Sequence, residues 1–362
     1  MRYISKRSTQ IAPRSREDAE KLQIFSLTPY LCGEHPLEFM LLSEGAYMNK
    51  WYVGVDLGGT NIVSGLIRED GEVAARDKRP TRQEAGLEGS IRQMKDSVRA
   101  ALERGGVSIH ELAGIGIGSP GPIDPFEGII IAPENLPAWR DVPLKKIFEE
   151  EFGIRTILDN DANVAALGEQ WKGAGKNVAD FLCVTLGTGI GGGAICGGKL
   201  LKGFNGNAAE IGHITIDHKG PHCPCGNRGC LELYASATGI VRWTKVRMAI
   251  ERPETALTEG TNLTARTISE AARDGDVFAR EMFDRTGTLL GIGLVSAINL
   301  LNVEVIALGG GMAEAGDLIF DPVRRTILER GLPGVREKVR VVPVELGEDA
   351  ALLGAAKNAM EA

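Results

Sequence analysis

No stretch of the 362 residues is long and apolar enough to span a bilayer. The nearest candidate, Leu289 to Leu308, is interrupted by Asn299, Asn302, Glu304 and glycines, and reads as a buried helix followed by a strand. Excess positive charge is missing as well. The formal net charge is -7 and no basic stripe is present to neutralise phosphates, so neither nucleic acid nor an anionic membrane surface is an expected partner. No secretory signal is expected, because the basic first residues are not followed by an apolar run. Cysteine is sparse: six residues, three of which (Cys223, Cys225, Cys230) fall within eight positions. Such a cluster in a large chain argues against a small disulfide scaffold and for metal binding in a reducing, cytoplasmic setting.

Glycine is what the chain has in plenty, with 47 residues gathered mostly into short clusters. Clusters of this kind mark sharp turns or close approach of backbone to a ligand. The length suits two domains. Residues 1–47 stand apart: they carry Pro13, Pro29 and Pro36 and hold no sustained period. A disordered extension, or a start assigned too early, is expected there, with Met48 the preferred first residue because a clear strand follows it.

From Trp51 the pattern becomes regular. Trp51–Leu57 reads as a strand, Gly58-Gly59-Thr60 as a tight turn, Ile62–Ile67 as a second strand, and Asp70-Gly71 as a hairpin into a third. Ser90–Arg104 has helical spacing, and Ala113–Ile117 is a short strand running into Gly118-Ser119-Pro120-Gly121-Pro122. Phe181–Leu186, Gly187-Thr188-Gly189 and Ile190–Ile195 then repeat the strand, turn, strand order of residues 53–67. An internal repeat implies two similar halves with a cleft between them. Helices are expected over Ala279–Leu301 and Asp317–Arg330.

Backbone N–H groups in a tight glycine turn converge on anionic oxygens. Asp56 adds a carboxylate able to hold a metal-bound water, and Thr60 a hydroxyl. One such turn is as well explained by a capped hairpin, but two at repeat positions favour phosphate binding. Gly187, Gly189 and Gly192 fit G-x-G-x-x-G, yet no helix opens after them; Gly193–Lys199 resembles a P-loop, yet Leu200 occupies the magnesium-binding hydroxyl position. Both rival signatures fail on context. A third cluster, Gly309-Gly310-Gly311, follows the strand Val303–Leu308, a junction suited to a nucleotide's sugar and base.

Leu158-Asp159-Asn160-Asp161-Ala162-Asn163 separates a strand (Arg155–Leu158) from an apolar helix expected near Val164. A helix cap needs one polar residue, and this stretch has four. Phosphoryl transfer to an alcohol needs a carboxylate to take the hydroxyl proton and a neighbouring amide to orient the acceptor. Asp161 and Asn160 supply that pair. His213, Cys223, Cys225 and Cys230 form a closed tetrahedral zinc set with a structural role, while His218 and His222 remain alternatives on spacing alone. Glu210 and Glu232 flank this knuckle as carboxylates suited to sugar hydroxyls, or as solvated surface residues. The glycine turns are expected to be independent of the knuckle.

Together these motifs resemble the ROK family of bacterial sugar kinases and sugar-responsive repressors. The matching stretches are Asp56–Thr60, Ser119–Pro122, Asn160–Asn163, Leu186–Gly189, Glu210–His213 and Cys223–Glu232, in order from about residue 50 to the C-terminus. Asn163–Gly175 is most similar to the family's glucokinases. The resemblance implies an α/β, two-domain actin-like ATPase (ribonuclease H-like) fold with a central cleft and a zinc knuckle at about 210–232. The domains would be 48–160 and 161–362, the last helix packing back on the first. It implies ATP with magnesium as co-substrate and phosphorylation of D-glucose at the 6-hydroxyl. Asp161 matches the general base, and Asn135, Asn160, Asp161, Glu210, His213 and Glu232 match the sugar contacts. Asp56, Gly58, Gly59, Thr60, Asn61, Thr188, Gly189, Gly310 and Gly311 match the ATP contacts. His213, now preferred over the other histidines, joins the three cysteines on structural zinc. A homodimer or homotetramer is implied. Another hexose (fructose, mannose, allose or an N-acetylated amino sugar), polyphosphate as donor, and a non-catalytic sugar sensor are the alternatives. Residues 1–47 are too short and proline-broken for the helix-turn-helix of family repressors.

Overall fold

Apart from the edge segment Val73–Pro80, which is rich in charge and alternates in burial, the long strand-forming segments are largely apolar rather than alternating, as expected for sheets covered on both faces. The computed structural model describes residues 50–258 and 263–362, which belong to one compact unit, Asn49–Ala362. The expectation for residues 1–47, and Cys32 with it, lies outside them. The first half runs β1 (Trp51–Leu57), β2 (Asn61–Arg68), β3 (Val73–Pro80), α1 (Gly86–Gly105), β4 (Leu112–Ser119), β5 (Ile123–Asp124), β6 (Ile129–Ile130), α2 (Leu144–Phe152) and β7 (Thr156–Asn160). It continues with α3 (Asp161–Lys172), β8 (Phe181–Leu186), β9 (Ile190–Cys196), β10 (Lys199–Leu200), α4 (Glu232–Ala235), α5 (Ala237–Glu251), α6 (Ala265–Arg273), α7 (Val277–Leu301), β11 (Val305–Gly309), α8 (Asp317–Arg330), β12 (Arg340–Pro343) and α9 (Asp349–Glu361). No helix among the described residues is long and apolar enough to cross a membrane.

Two five-stranded sheets carry the fold, in the orders β3-β2-β1-β4-β7 and β10-β9-β8-β11-β12. In each, the first three strands form an antiparallel meander and the two later strands join in parallel. The repeated strand, turn, strand pattern in the sequence is therefore a repeated sheet. Leu57 pairs with Ile62 across the first glycine turn, and Leu186 with Ile190 across the second. One apolar core lies between the first sheet and α1 and α2, and another between the second sheet and α7 and α8. The buried stripe of α7 includes Phe278, Met282, Phe283, Leu290, Leu294 and Ile298. Each such side chain stabilises the fold by about 1.5–3 kcal/mol relative to exposure.

Helices α3 and α9 pack on the opposite sheet faces and against each other. Their backbones nearly touch: a Cβ built on Gly354 would stand 1.6 Å from the Val164 carbonyl oxygen, and one on Gly168 2.0 Å from that of Ala350. The last helix also lies on β1 and β4, so the C-terminal residues complete the core of the first sheet.

Of the boundaries that differ from the sequence reading, two bear on the site. β7 runs to Asn160 rather than Leu158, because Gly118 and Ser119 of a longer β4 pair with Asp159 and Asn160. α3 then begins at Asp161 rather than near Val164: the Asn160 side chain accepts the Ala162 N–H at 2.9 Å and starts the helix at once.

Candidate active site

Parallel pairing of β4 and β7 delivers Asn160 and Asp161 to the end of the first sheet, where the helix N-terminus holds them. Asn160 is the N-cap, and its side-chain amide lies against Gly121, 3.4 Å from a Cβ position there. The polar stretch is thus a cap, and it also presents the two candidate side chains, Asn160 and Asp161, side by side. Asp161 is half-buried, and its carboxylate accepts the Ala162 N–H at 2.8 Å. Burial raises its pKa, the charge of Glu210 adds to the rise, and the Ala162 N–H and the Asn160 side chain oppose it. Such a carboxylate holds a proton more readily than an exposed one.

The first glycine turn is fixed from three sides. Gly58 N–H donates to Asn61 O at 2.9 Å, and the Thr81 hydroxyl donates to Gly58 O at 2.7 Å. The Gln83 amide donates to Gly59 O and, at 3.0 Å, to Asn135 O. Asn135 therefore stands at the turn, exposed, with its backbone oxygen 3.1 Å from a Cβ position on Gly59. Asp56, at the end of β1, accepts no hydrogen bond among the described residues. Its pKa is pushed up to about 6, by burial first and then by the charges of Asp161 and Glu348, with Lys78 opposing. Glu348 and Gln83 carry no sequence signal, since they come from the start of α9 and from the short helical turn after β3, outside the glycine motif.

In the second turn Gly187 N–H donates to Gly189 O at 3.0 Å, and Gly187 O accepts the Ala237 N–H at 2.9 Å. The Thr238 hydroxyl donates to Thr188 O at 2.7 Å. The third cluster sits on the end of β8: Gly310 has φ +83, and a Cβ there would meet Leu186 O at 2.6 Å, so only glycine fits. Gly187, Thr188 and Gly311 line one cavity of about 470 Å³ with Arg266, Glu270 and Arg273 of α6.

Glu210 precedes a short turn, Ile211–His213, and is exposed at its rim. Partial desolvation by the surrounding protein raises its pKa, His213 lowers it and Glu232 raises it. His213, Cys223, Cys225 and Cys230 bring their ligand atoms within 4.8 Å of one another. The Cys225 and Cys230 sulfurs are 3.7 Å apart, and His213 Nδ1 is 3.8 Å from Cys223 Sγ. A tetrahedral zinc with Zn–S near 2.3 Å separates its sulfur ligands by about 3.8 Å, so the donor set fits that ion. His222 instead lies against the Arg228 guanidinium, and His218 is outside the cluster. Glu232 Oε1 lies 3.3 Å from His213 Nδ1 and 3.2 Å from Cys223 Sγ.

Asp56, Asp161, Glu210, His213 and Glu232 thus form one chain of electrostatic neighbours between the glycine turns. The profile described as "ROK family" matches residues 52–362. The glucokinase of Halalkalibacterium halodurans is 40% identical over 311 residues, covering 84% of this chain and 94% of that protein. The glucokinase of Thermotoga maritima is 38% identical over 309 residues, covering 84% and 95%. Among solved structures, a ROK family glucokinase from Streptomyces griseus in complex with glucose and AMPPNP is 35% identical with a TM-score of 0.71, covering 86% of this chain and 100% of that one.

Proposed function

The chain belongs to the ROK family, and from that premise we propose that it transfers the γ-phosphoryl group of ATP to the 6-hydroxyl of D-glucose. The observation that carries the reading is the position of Asp161, a half-buried carboxylate of raised pKa in electrostatic contact with both Asp56 and Glu210. Asp56 belongs to the glycine turn suited to phosphate, and Glu210 to the segment suited to sugar.

In this reading Asp161 takes the proton of the sugar hydroxyl as its oxygen attacks the γ-phosphorus. The Asn160 amide, Glu210, His213 and Glu232 hold ring hydroxyls, and Asn135 approaches from beside the first turn. Gly58, Gly59, Thr60, Asn61, Thr188 and Gly189 hold the phosphates, while Gly310 and Gly311 close the cavity for the adenosine. Asp56, with no hydrogen-bond donor among the described residues, fits a magnesium-bound water, and magnesium when bound would neutralise phosphate charge. His213, Cys223, Cys225 and Cys230 would hold the zinc, which would brace the segment carrying Glu210 and Glu232.

ADP release measured over a panel of hexoses, with ATP and with polyphosphate as donor, tests the proposal. Glucose with ATP should give the highest kcat/KM. Faster turnover of another hexose or of polyphosphate would reassign the substrate, and no turnover with any pair would leave a sugar-binding protein without kinase activity.

A further inference from the structure

Asp159, immediately before the Asn160–Asp161 pair, is a fully buried carboxylate with no part in the chemistry above. Four donors from four segments fill its acceptor sites. Oδ1 accepts Asn160 N–H and Asn163 Nδ2, each at 2.9 Å. Oδ2 accepts Lys202 Nζ at 2.8 Å and Asn358 Nδ2 at 3.2 Å. The donors come from the β7–α3 junction, the first turn of α3, the segment following β10, and α9.

Two of these links bear on the reacting groups. The Asn160 N–H bond fixes the peptide unit that leads into Asn160, one residue before Asp161. Lys202 lies on the connection that ends at Glu210, and the other end of that connection is also held: Ala209 takes φ +62, its carbonyl accepts Ile211 N–H at 2.6 Å, and Gly192 of β9 lies against its oxygen. The Asp159–Lys202 ion pair thus ties one end of the Glu210 segment to the strand that presents the base.

We propose that Asp159 is a positioning residue which, through Lys202, sets the sugar-binding Glu210 segment and the Asn160–Asp161 pair in a single frame. The inference rests on the kinase reading. A pair buried for stability alone would affect unfolding and leave turnover intact below the transition. A positioning pair affects kcat, because ångström-scale misplacement of reacting groups costs roughly 10²-fold.

The test is a set of variants, Asp159→Asn, Lys202→Gln, Lys202→Arg and the double Asp159→Asn/Lys202→Gln, compared with the wild-type chain by hexokinase kinetics and thermal melting. Lys202 is partly exposed, so Lys202→Gln remains informative if Asp159→Asn fails to fold. Expected are a fall in kcat of about tenfold or more in Lys202→Gln, substantial recovery in Lys202→Arg, and little change in KM for ATP. The double variant should lose no more than the worse single variant, because the pair acts as a unit. Undiminished kcat in Lys202→Gln beside an active wild-type chain would overturn the positioning role alone. No wild-type turnover of any hexose would overturn the kinase reading and this inference with it.

Discussion

A Cβ added to Gly189 would stand 2.9 Å from Oε2 of Glu232. The second glycine turn and the glutamate that follows the knuckle therefore share one wall, and Glu232 in turn touches His213 and Cys223. The sequence suggested that turn and knuckle were independent. Tertiary packing makes them neighbours.

Gly189→Ala should accordingly disturb sugar as well as nucleotide. The atom in the way is the end of a flexible side chain, so the fold should tolerate the methyl group while the Glu232 carboxylate moves. KM for glucose should rise roughly tenfold, the worth of one charge-assisted hydrogen bond, with little change in melting temperature. Altered KM for ATP alone would show that the contact carries no coupling.

Cys225→Ser, or chelation of zinc, should destabilise the segment around residues 213–232 and weaken glucose binding by about tenfold or more. ATP binding should weaken to a smaller degree, through the Gly189 wall. Calorimetric titration of each ligand into the metal-free protein measures both. Unchanged glucose affinity would reduce the knuckle to a surface staple and remove Glu210 and Glu232 from the sugar site.

Asp161→Asn should bind glucose and keep its fold, yet lose turnover by roughly 10²–10⁴-fold, as general-base removal does. Burial and the Glu210 charge raise the pKa of Asp161, so wild-type kcat/KM should decline on acidification at a pH above the ordinary aspartate range. Near-normal turnover in the variant would assign the base elsewhere.

Asp56 links pH to stability. Its folded pKa is about 6 against an ordinary 3.8, so between those values the folded chain holds a proton that the unfolded chain has released. Stability therefore falls as pH rises through that window, and the full cost persists above it. Asp56→Asn should raise stability at pH 7 by about 1–2 kcal/mol after allowance for solvent screening, and by less near pH 4, while lowering activity. Melts of both proteins at the two pH values provide the check, and a variant less stable at pH 7 would contradict it.

Gly354→Ala should be severe. The added methyl meets a backbone oxygen of α3, so relief requires the two helices to separate. A loss beyond the usual 1–3 kcal/mol of overpacking is expected in denaturant titration. Wild-type stability would mean that the crossing is looser than the backbone places it.

Much of the site could be read locally. Gly58-Gly59-Thr60 and Gly187-Thr188-Gly189 stand between apolar strands, and turn chemistry is decided within a few residues. The cysteines lie close along the chain, so their shared ligand set needed little else. The polar run from Asp159 to Asn163 marks a helix start, but which residue caps α3 and where the helix begins depend on strand pairing with β4, which lies outside the local pattern. Glu348, Gln83 and Lys202 carry no marker in their own neighbourhoods.

What the sequence by itself determined is the set of short-range choices: apolar strands, glycine turns, a capped helix after a polar run, and a cluster of soft metal ligands. These follow from backbone sterics and side-chain chemistry over one or two turns of chain. The tertiary structure decided which of these pieces meet. Asn358 reaches Asp159 across 199 positions because α9 crosses α3 closely, and Gly189 finds Glu232 because Ala237 and Thr238, just beyond α4, are hydrogen-bonded to the second glycine turn. Contacts of that kind depend on sheet order and helix approach, quantities that no local window of residues contains.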